Sequence, residues 1–397
     1  MTQEKWNKTA CILCSINCGL EVQVQDRHLQ KIRGDKKNPL SQGYLCQKAA
    51  RLDYYQNNSD LLEQPLRRKE DGCFEAISWE TAFREIAAKL IELRDSHGGD
   101  SLAFYGGGGQ GNHLGGLYSS ALRAAMKTRY LYTALAQEKT GDFWVNGKLF
   151  GRQHSHITED VEHADVAVFI GTNPWQAHGI PRARSVLREI AKDPQKTMIV
   201  IDPKETETAK LADMHVRVFP GRDVYLLSAI IAVIIQKGWY NQKFIEERTT
   251  GFEKLQQVFA NISPEDYAEK SHVPLEQVVS VAQKLCEAKT ACIRVDLGLQ
   301  QSLNSTLNSY LEKLLFLITG NLGRRGTNNF HTLFAPLIGH SDEKKLLHSK
   351  ITNTAEIGKL FPPNILPQEI DNNDPQRIRG LVVDSANPVV TGADTQE

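Results

Sequence analysis

The sequence predicts an α/β protein: a small N-terminal unit of antiparallel strands followed by doubly wound, parallel-sheet α/β domains. Three observations predict it. Short apolar runs ending in polar turns, such as "DVAVFIGTNP" (165–174) and "TMIVIDPK" (197–204), alternate with helical patterns, as in a parallel sheet covered on both faces. The 397 residues exceed one ordinary core, so two or three domains are expected. Ahead of the α/β stretch, "TACILCSINCGLEV" (9–22) carries three cysteines, Cys11, Cys14 and Cys18.

Taken in order, residues 1–60 form the cysteine-bearing unit. Within it "LEVQVQDRHLQKIRGD" (20–35) alternates apolar and polar residues, so it reads as antiparallel strands with Gly34-Asp35 as a turn. Next, "SWETAFREIAAKLIELRDSHGG" reads as a helix capped by Ser78, with Phe83, Ile86, Leu90 and Leu93 at helical spacing and a Gly-Gly stop. "DSLAFYGGGGQGNH" (100–113) is a buried strand running into a glycine loop. After the strand at 165–174 come a helix over 182–193, a strand over 197–204, a third strand, "MHVRVFPG" (214–221), and a long helix over 223–238. Near the end, "GLVVDSANP" (380–388) echoes "AVFIGTNP" (167–174), which suits a protein with two related α/β halves. No later residue offers this strand neighbours. The organisation expected is a cluster domain over 1–60, an α/β region over 61–330, and an incomplete second half over 331–397.

Composition narrows the function. With 41% hydrophobic and 24% charged residues the chain is globular, and 47 basic residues balance 47 acidic ones. No global field draws in nucleic acid or an anionic membrane. The longest apolar run, "VYLLSAIIAVII" (224–235), is too short to span a bilayer and fits a buried helix. "MTQEKWNKTA" has neither an apolar h-region nor a twin-arginine pair, so a cytoplasmic location is expected.

In a reducing compartment the seven cysteines do not read as a disulfide framework. Cys73, Cys286 and Cys292 are scattered and read as small buried hydrophobes. Cys11, Cys14, Cys18 and Cys46 form a three-plus-one set that can hold zinc or an iron–sulfur cluster. Farther on, Asp202 ends the second strand of the α/β stretch, after the turn Gly171-Thr172-Asn173. An acidic residue there commonly binds a ribose hydroxyl or a base amino group. The structural alternative is a strand cap that starts a turn with Pro203. The turn Gly171-Thr172-Asn173 carries no GxGxxG, so ordinary NAD binding there is poorly supported.

Together these segments resemble the molybdopterin-guanine-dinucleotide oxidoreductases, which include formate dehydrogenases and nitrate reductases. Cys11-x2-Cys14-x3-Cys18-x27-Cys46-x-Lys48 is similar to their N-terminal [4Fe–4S] motif. "QPLRRKEDGCFEAISWETAF" (64–83), "FIGTNP", "VIDPKETETAKLADMHVRVFPGRDVYLL" and "FLITGNLGRRGT" (316–327) are similar to later blocks in the same order. The resemblance implies the four cysteines as cluster ligands and Lys48 as the lysine between cluster and pterin. It also implies that Gly171 and Asn173, Asp202 and Pro203, and Gly221 and Asp223 hold the guanine dinucleotide of one pterin. A carboxylate suits guanine, which offers two adjacent donors. The implied function is a molybdenum or tungsten bis-molybdopterin oxidoreductase. A small-molecule substrate reacts at the metal, and electrons pass the pterin and Lys48 to the cluster, then to a carrier or partner subunit.

Two departures from the family temper this. The stretch that carries the family's protein ligand to the metal, "LYTALAQEKTGDFWVNGKLFG" (131–151), contains no cysteine. The slot falls near Ala136 or Gln137, with Thr133, Glu138 or Asp142 as recruitable substitutes. In addition, family members continue into a further α/β half and a C-terminal barrel. The rival readings are a non-catalytic iron–sulfur electron-transfer or assembly subunit, a truncated fragment without a competent metal centre, and a zinc-stapled α/β protein. His154 and His156, as an isolated HxH, read as structural or exposed.

Overall fold

The computed structural model describes residues 5–106, 114–331 and 338–392, so most of the glycine loop at 106–113 lies outside the described residues. The chain divides into two compact units, Met1–Gln137 with Ser341–Glu397, and Glu138–His340.

The first unit begins with a three-stranded antiparallel sheet, β1 (Asn7–Ala10), β2 (Gly19–Gln25) and β3 (His28–Gly34), in the order β1-β2-β3. The hairpin turn is Asp26-Arg27, both with positive φ (48° and 65°), and not Gly34-Asp35. A type I′-like turn matches the twist of paired strands, which displaces the turn from the glycine. Helix α1 (Leu52–Gln56) packs on this sheet, and Cys11, Leu20, Val22, Ala49 and Leu52 form a small nucleus. The short strands β4 (Leu66–Arg68) and β5 (Phe74–Ala76) pair next.

Helix α2 (Trp79–His97) starts where the sequence expects it: Ser78 accepts a hydrogen bond from the Thr81 amide at 3.1 Å, and Gly98 ends it. Of its apolar stripe, Leu90 is buried, whereas Phe83 and Ile86 are 65% and 57% exposed. Strand β6 (Leu102–Gly106) runs parallel to β7 (Leu131–Thr133), with α3 (Leu114–Met126) between them in sequence. The neighbour missing from the C-terminal echo comes from earlier in the chain, since Gly380–Asp384 pairs in parallel with β6 on its other edge. Alternate residues of β6 face opposite sides, Leu102 and Phe104 toward Leu90 and Met126, Ala103 and Tyr105 toward Tyr130 and Phe361. The short helix α4 (Leu135–Glu138) follows β7.

The second unit opens with α5 (Thr140–Phe150) and β8 (Ile157–Glu159). Its centre is the parallel strands β9 (Val166–Ile170), β10 (Thr197–Ile201), β11 (Met214–Val216) and β12 (Ala291–Val295), ordered β11-β10-β9-β12. Both faces are covered. Val166, Val168, Ile170, Ile199 and Ile201 pack on one side against the largely apolar helix α8 (Asp223–Gln236). Ala167, Phe169, Met198 and Val200 pack on the other, against Val186, Leu187 and Ile190 of α7 (Ala183–Lys192); the short α6 (Pro174–Ala177) precedes α7. Two-sided burial explains why these strands read as unbroken apolar runs. Helices α9 (Gln242–Arg248), α10 (Phe252–Ala260), α11 (Pro264–Ser271) and α12 (Leu275–Glu287) add a layer. The unit closes with α13 (Leu297–Gln300), α14 (Ser305–Ile318) and β13 (Asn328–Phe330), which pairs with β8. No described helix is long and apolar enough to cross a membrane.

Candidate cofactor sites

In the first unit the chain leaves β1 and closes a tight loop, with the Cys11 amide donating to the Cys18 carbonyl at 2.8 Å and the Asn17 amide to the Cys14 carbonyl at 3.2 Å. Asn17 adopts positive φ (47°), and its side-chain amide donates to the Cys11 carbonyl at 3.0 Å. This loop brings Cys11, Cys14 and Cys18 near enough to act on one another's charge. The fourth thiol, Cys46, sits just before the 3₁₀ turn Ala49–Arg51, and its sulfur accepts from the Ala49 amide at 3.4 Å.

All four thiols are free, and burial pushes Cys18 up to about 11, helped by the charges of Cys14, Cys11 and Cys46. Burial likewise raises Cys11, against which the Lys48 ammonium acts in the opposite direction. Thiols such as Cys11 and Cys18, whose ionisation is disfavoured by burial and by neighbouring cysteines, are what a cationic inorganic body relieves. Among the described residues no three His, Cys, Asp or Glu side chains converge tightly enough for a single metal ion. Four thiols without a histidine are the donor set of a thiolate-ligated iron–sulfur cluster. Lys48 is exposed on the 3₁₀ turn beside Cys46. Of the remaining cysteines Cys292 is buried, but Cys73 is exposed, because it lies on the β4–β5 hairpin and not in a core.

The second unit gathers the other candidates at the carboxyl ends of its strands. β9 continues into Gly171-Thr172-Asn173, β10 into Asp202-Pro203, and β11 leads to Gly221-Arg222-Asp223. The strand order puts β10 and β12 on opposite sides of β9, the kind of switch point where open α/β sheets bind ligands. There the backbone comes close: the Gly298 amide donates to the Gly171 carbonyl at 3.0 Å, and Gly171 has φ +58°. A Cβ on Gly171 would lie 2.5 Å from the Leu299 nitrogen, so a side chain is excluded there.

Asp223 is only 6% exposed, and burial pushes it up to about 6, with the charge of Asp202 adding to the rise. The two carboxylates therefore share one neighbourhood. Asp202 is oriented by accepting from the Lys204 amide at 2.8 Å, and its carbonyl is 2.9 Å from His215 Nε2. Asn173 is held by its surroundings: it donates to Glu207 at 2.7 Å and accepts from the Thr208 hydroxyl at 2.7 Å. That bond, with the amides of Glu207 and Gln176, lowers the Glu207 carboxyl to about 2. Pro203 and Gly221 are exposed at the rim.

Several residues here escape sequence reasoning. Thr172 Oγ1, Gln300 Oε1 and Arg294 Nε are buried without a hydrogen-bond partner, all at or just beyond the ends of β9 and β12. Buried polar groups are normally satisfied, so orphans grouped at a strand-end crevice suit a polar ligand. His178 is buried with φ 61° and ψ −115°, a costly conformation for a non-glycine residue. Gly298 and Gln300 had one signal in the sequence, the turn "VDLGLQ" that follows the apolar "ACI". The orphans, the close glycines and the buried carboxylate fit a dinucleotide of several donors and acceptors.

The metal-ligand slot gives a mixed picture. Ala136 is buried and carries no donor, Gln137 is exposed, and Thr133 Oγ1 is buried without a partner. Asp142 is not available as a ligand, because its carboxylate is engaged by the Lys313 ammonium. His156 is exposed and His154 intermediate, as an isolated pair reads, and among the described residues no metal-holding group includes them.

An N-terminal thiolate module followed by a dinucleotide-type α/β unit defines a class, the metal–pterin dinucleotide oxidoreductases. The chain belongs to the molybdopterin oxidoreductase family, which matches residues 62–397, with the family's Fe4S4 domain matching residues 4–58. Family membership brings a [4Fe–4S] cluster and molybdopterin with molybdenum or tungsten.

The chain is 30% identical to the F420-dependent formate dehydrogenase subunit alpha of Methanocaldococcus jannaschii, over 90% of this chain and 50% of that protein. It is also 30% identical to the nitrate reductase of a Synechocystis species, over 81% of this chain and 46% of the other. Acetylene hydratase from Pelobacter acetylenicus shares the fold with a TM-score of 0.68 at 22% identity, covering 84% of this chain and 45% of that one. The chain spans about half the length of the curated relatives it matches.

Proposed function

We propose that this chain is the cluster- and dinucleotide-binding part of a cytoplasmic molybdenum or tungsten oxidoreductase of the formate dehydrogenase and nitrate reductase type. It acts on a small-molecule substrate and exchanges electrons with a carrier or partner subunit. The activity is proposed for the chain together with polypeptide corresponding to the rest of its relatives. The exposed stripe of Trp79, Phe83 and Ile86 on α2 supports such a covering partner in the first unit. When bound, the metal–pterin group supplies the redox chemistry.

This chain's residues supply the setting. Cys11, Cys14, Cys18 and Cys46 hold the cluster, and Lys48 places a cation beside them that favours added negative charge. Asp202 and Asp223 accept from the guanine, while Gly171 and Gly221 shape the turns and Asn173 and Pro203 fix the walls. Ionised Asp223 is costly while buried, and two guanine donors relieve that cost.

The observation that carries the reading is the set of four neighbouring free thiols, with the Lys48 ammonium acting on Cys11. The test is co-production with the matching polypeptide, followed by visible spectroscopy during addition of formate or nitrate. Retained molybdenum or tungsten with substrate-dependent change in the cluster absorbance supports the proposal. Retained iron with neither metal, under any pairing, sinks it and favours an electron-transfer subunit, the reading that the donor-poor Ala136 also favours.

A further inference from the structure

The second unit contains a buried ionic group that the dinucleotide site does not use. Glu312 and Lys313, 4% and 2% exposed, lie in the middle of α14 among Leu311, Leu314 and Leu315. The Lys313 ammonium donates to Glu312 and, across to α5, to Asp142, each at 2.5 Å, and to the Ser309 carbonyl at 3.3 Å. Lys139 and His156 also face Asp142, and His156 in turn packs edge-on against His331 with ring centroids 6.1 Å apart. Burial lowers the lysine's pKa, but the two carboxylates outweigh it and raise it to about 12.

A buried ion pair is weak evidence for stability, because apolar residues of similar volume serve as well. What it fixes here is position. Asp142 lies in the first turn of α5, one residue after Gly141, and a Cβ on Gly141 would stand 2.6 Å from Thr306 Oγ1 of α14. Two adjacent contacts, one steric and one ionic, therefore pin the first turn of α5 to α14. The chain just ahead of this turn is the stretch in which the family carries its protein ligand to the metal.

We infer that Lys313 is a positioning residue: by holding Asp142 it fixes the start of α5 and with it the segment leading out of the metal slot. The part concerning the slot rests on the proposed function; the pinning of α5 does not. Amide hydrogen exchange on the purified chain, with metal analysis of the same sample, tests it.

Lys313→Met is expected to raise exchange at Phe143 and its neighbours in the first turn by about 100-fold or more, leaving α8 unchanged. Lys313→Arg, which keeps a cation, restores protection, and Glu312→Gln leaves it in place because the Asp142 pair survives. Should Lys313→Met not fold, Asp142→Asn carries the same expectation. In either variant molybdenum or tungsten per chain falls while iron stays at the wild-type level. Unchanged exchange in the first turn of α5, or a rise spread evenly over the whole unit, overturns the inference. A wild-type chain that retains no molybdenum, tungsten or guanine nucleotide even when co-produced with the matching polypeptide instead defeats the functional reading, and the exchange data then judge the pinning of α5 by themselves.

Discussion

The cysteine module and the strand-end crevice solve one problem, presenting polar groups to a cofactor, on very different foundations. Among the described residues around the thiols, the buried apolar cluster is small: Cys11, Leu20, Val22, Ala49 and Leu52. Beneath the crevice, the strands β9–β12 and helices α8, α12 and α14 bury a continuous apolar core. A nucleus of five small or medium side chains cannot offset the entropy of ordering some fifty residues. The module therefore depends on its inorganic ligand for order, as small metal-bound domains do. The crevice rests on that core, with Gly171 and Gly298 in contact and Asp223 already desolvated.

That contrast breaks first at the module. Stripping iron with a chelator, or making Cys14→Ser, is expected to remove about 10 kcal/mol or more of metal-linked stability and to open residues 5–58 to protease. The second unit should keep its amide protection; if both regions unravel together, the contrast is wrong. The reverse experiment is Ile230→Ala in the centre of α8, a fully buried position. It should cost about 2–5 kcal/mol in denaturant unfolding of the second unit, with iron per chain unchanged.

A smaller effect sharpens the crevice. The folded pKa of Asp223, at about 6, lies above the ordinary 3.8, so the folded state binds this proton more tightly than the unfolded one. Its contribution is complete at low pH and is lost as the pH rises from about 4 to about 6. In ligand-free protein Asp223→Asn should recover up to about 3 kcal/mol at pH 7 and abolish that pH dependence, while guanine nucleotide binding weakens. A variant no more stable than wild type at pH 7 would show that Asp223 carries no such penalty.

The smallest effect is at Lys48. Because the side chain is exposed, Lys48→Gln should change stability by less than about 0.5 kcal/mol. Reduction of the cluster by a low-potential dye should nevertheless become slower. An unaltered reduction rate would return Lys48 to the status of a solvated surface residue.

Much of this architecture was legible in the sequence, for reasons that also mark the limits. The strands at 166–170 and 197–201 and the helix at 223–236 are local, apolar and bounded by turn residues. The three-plus-one cysteine spacing needs no long-range information either. The hairpin turn at Asp26-Arg27 was missed because positive φ falls on two polar residues while a glycine nearby draws attention. The partner of the strand at 380–384 is β6 (Leu102–Gly106), far earlier in the chain, and no local pattern encodes such a pairing. Lys313 looks misplaced in "SYLEKLLFLI" until Asp142, 171 residues earlier, supplies its counter-charge. The orphaned Thr172 and Gln300 could not be read at all, since being unpartnered is a property of the folded crevice.

The most direct test is to purify the chain without oxygen and measure iron, zinc, molybdenum, tungsten and released guanine nucleotide per chain on one sample. About four irons with guanine nucleotide, and molybdenum or tungsten alongside it, is the predicted result for a thiolate cluster beside a pterin dinucleotide site. Zinc in place of iron, with no guanine nucleotide, would contradict both sites at once.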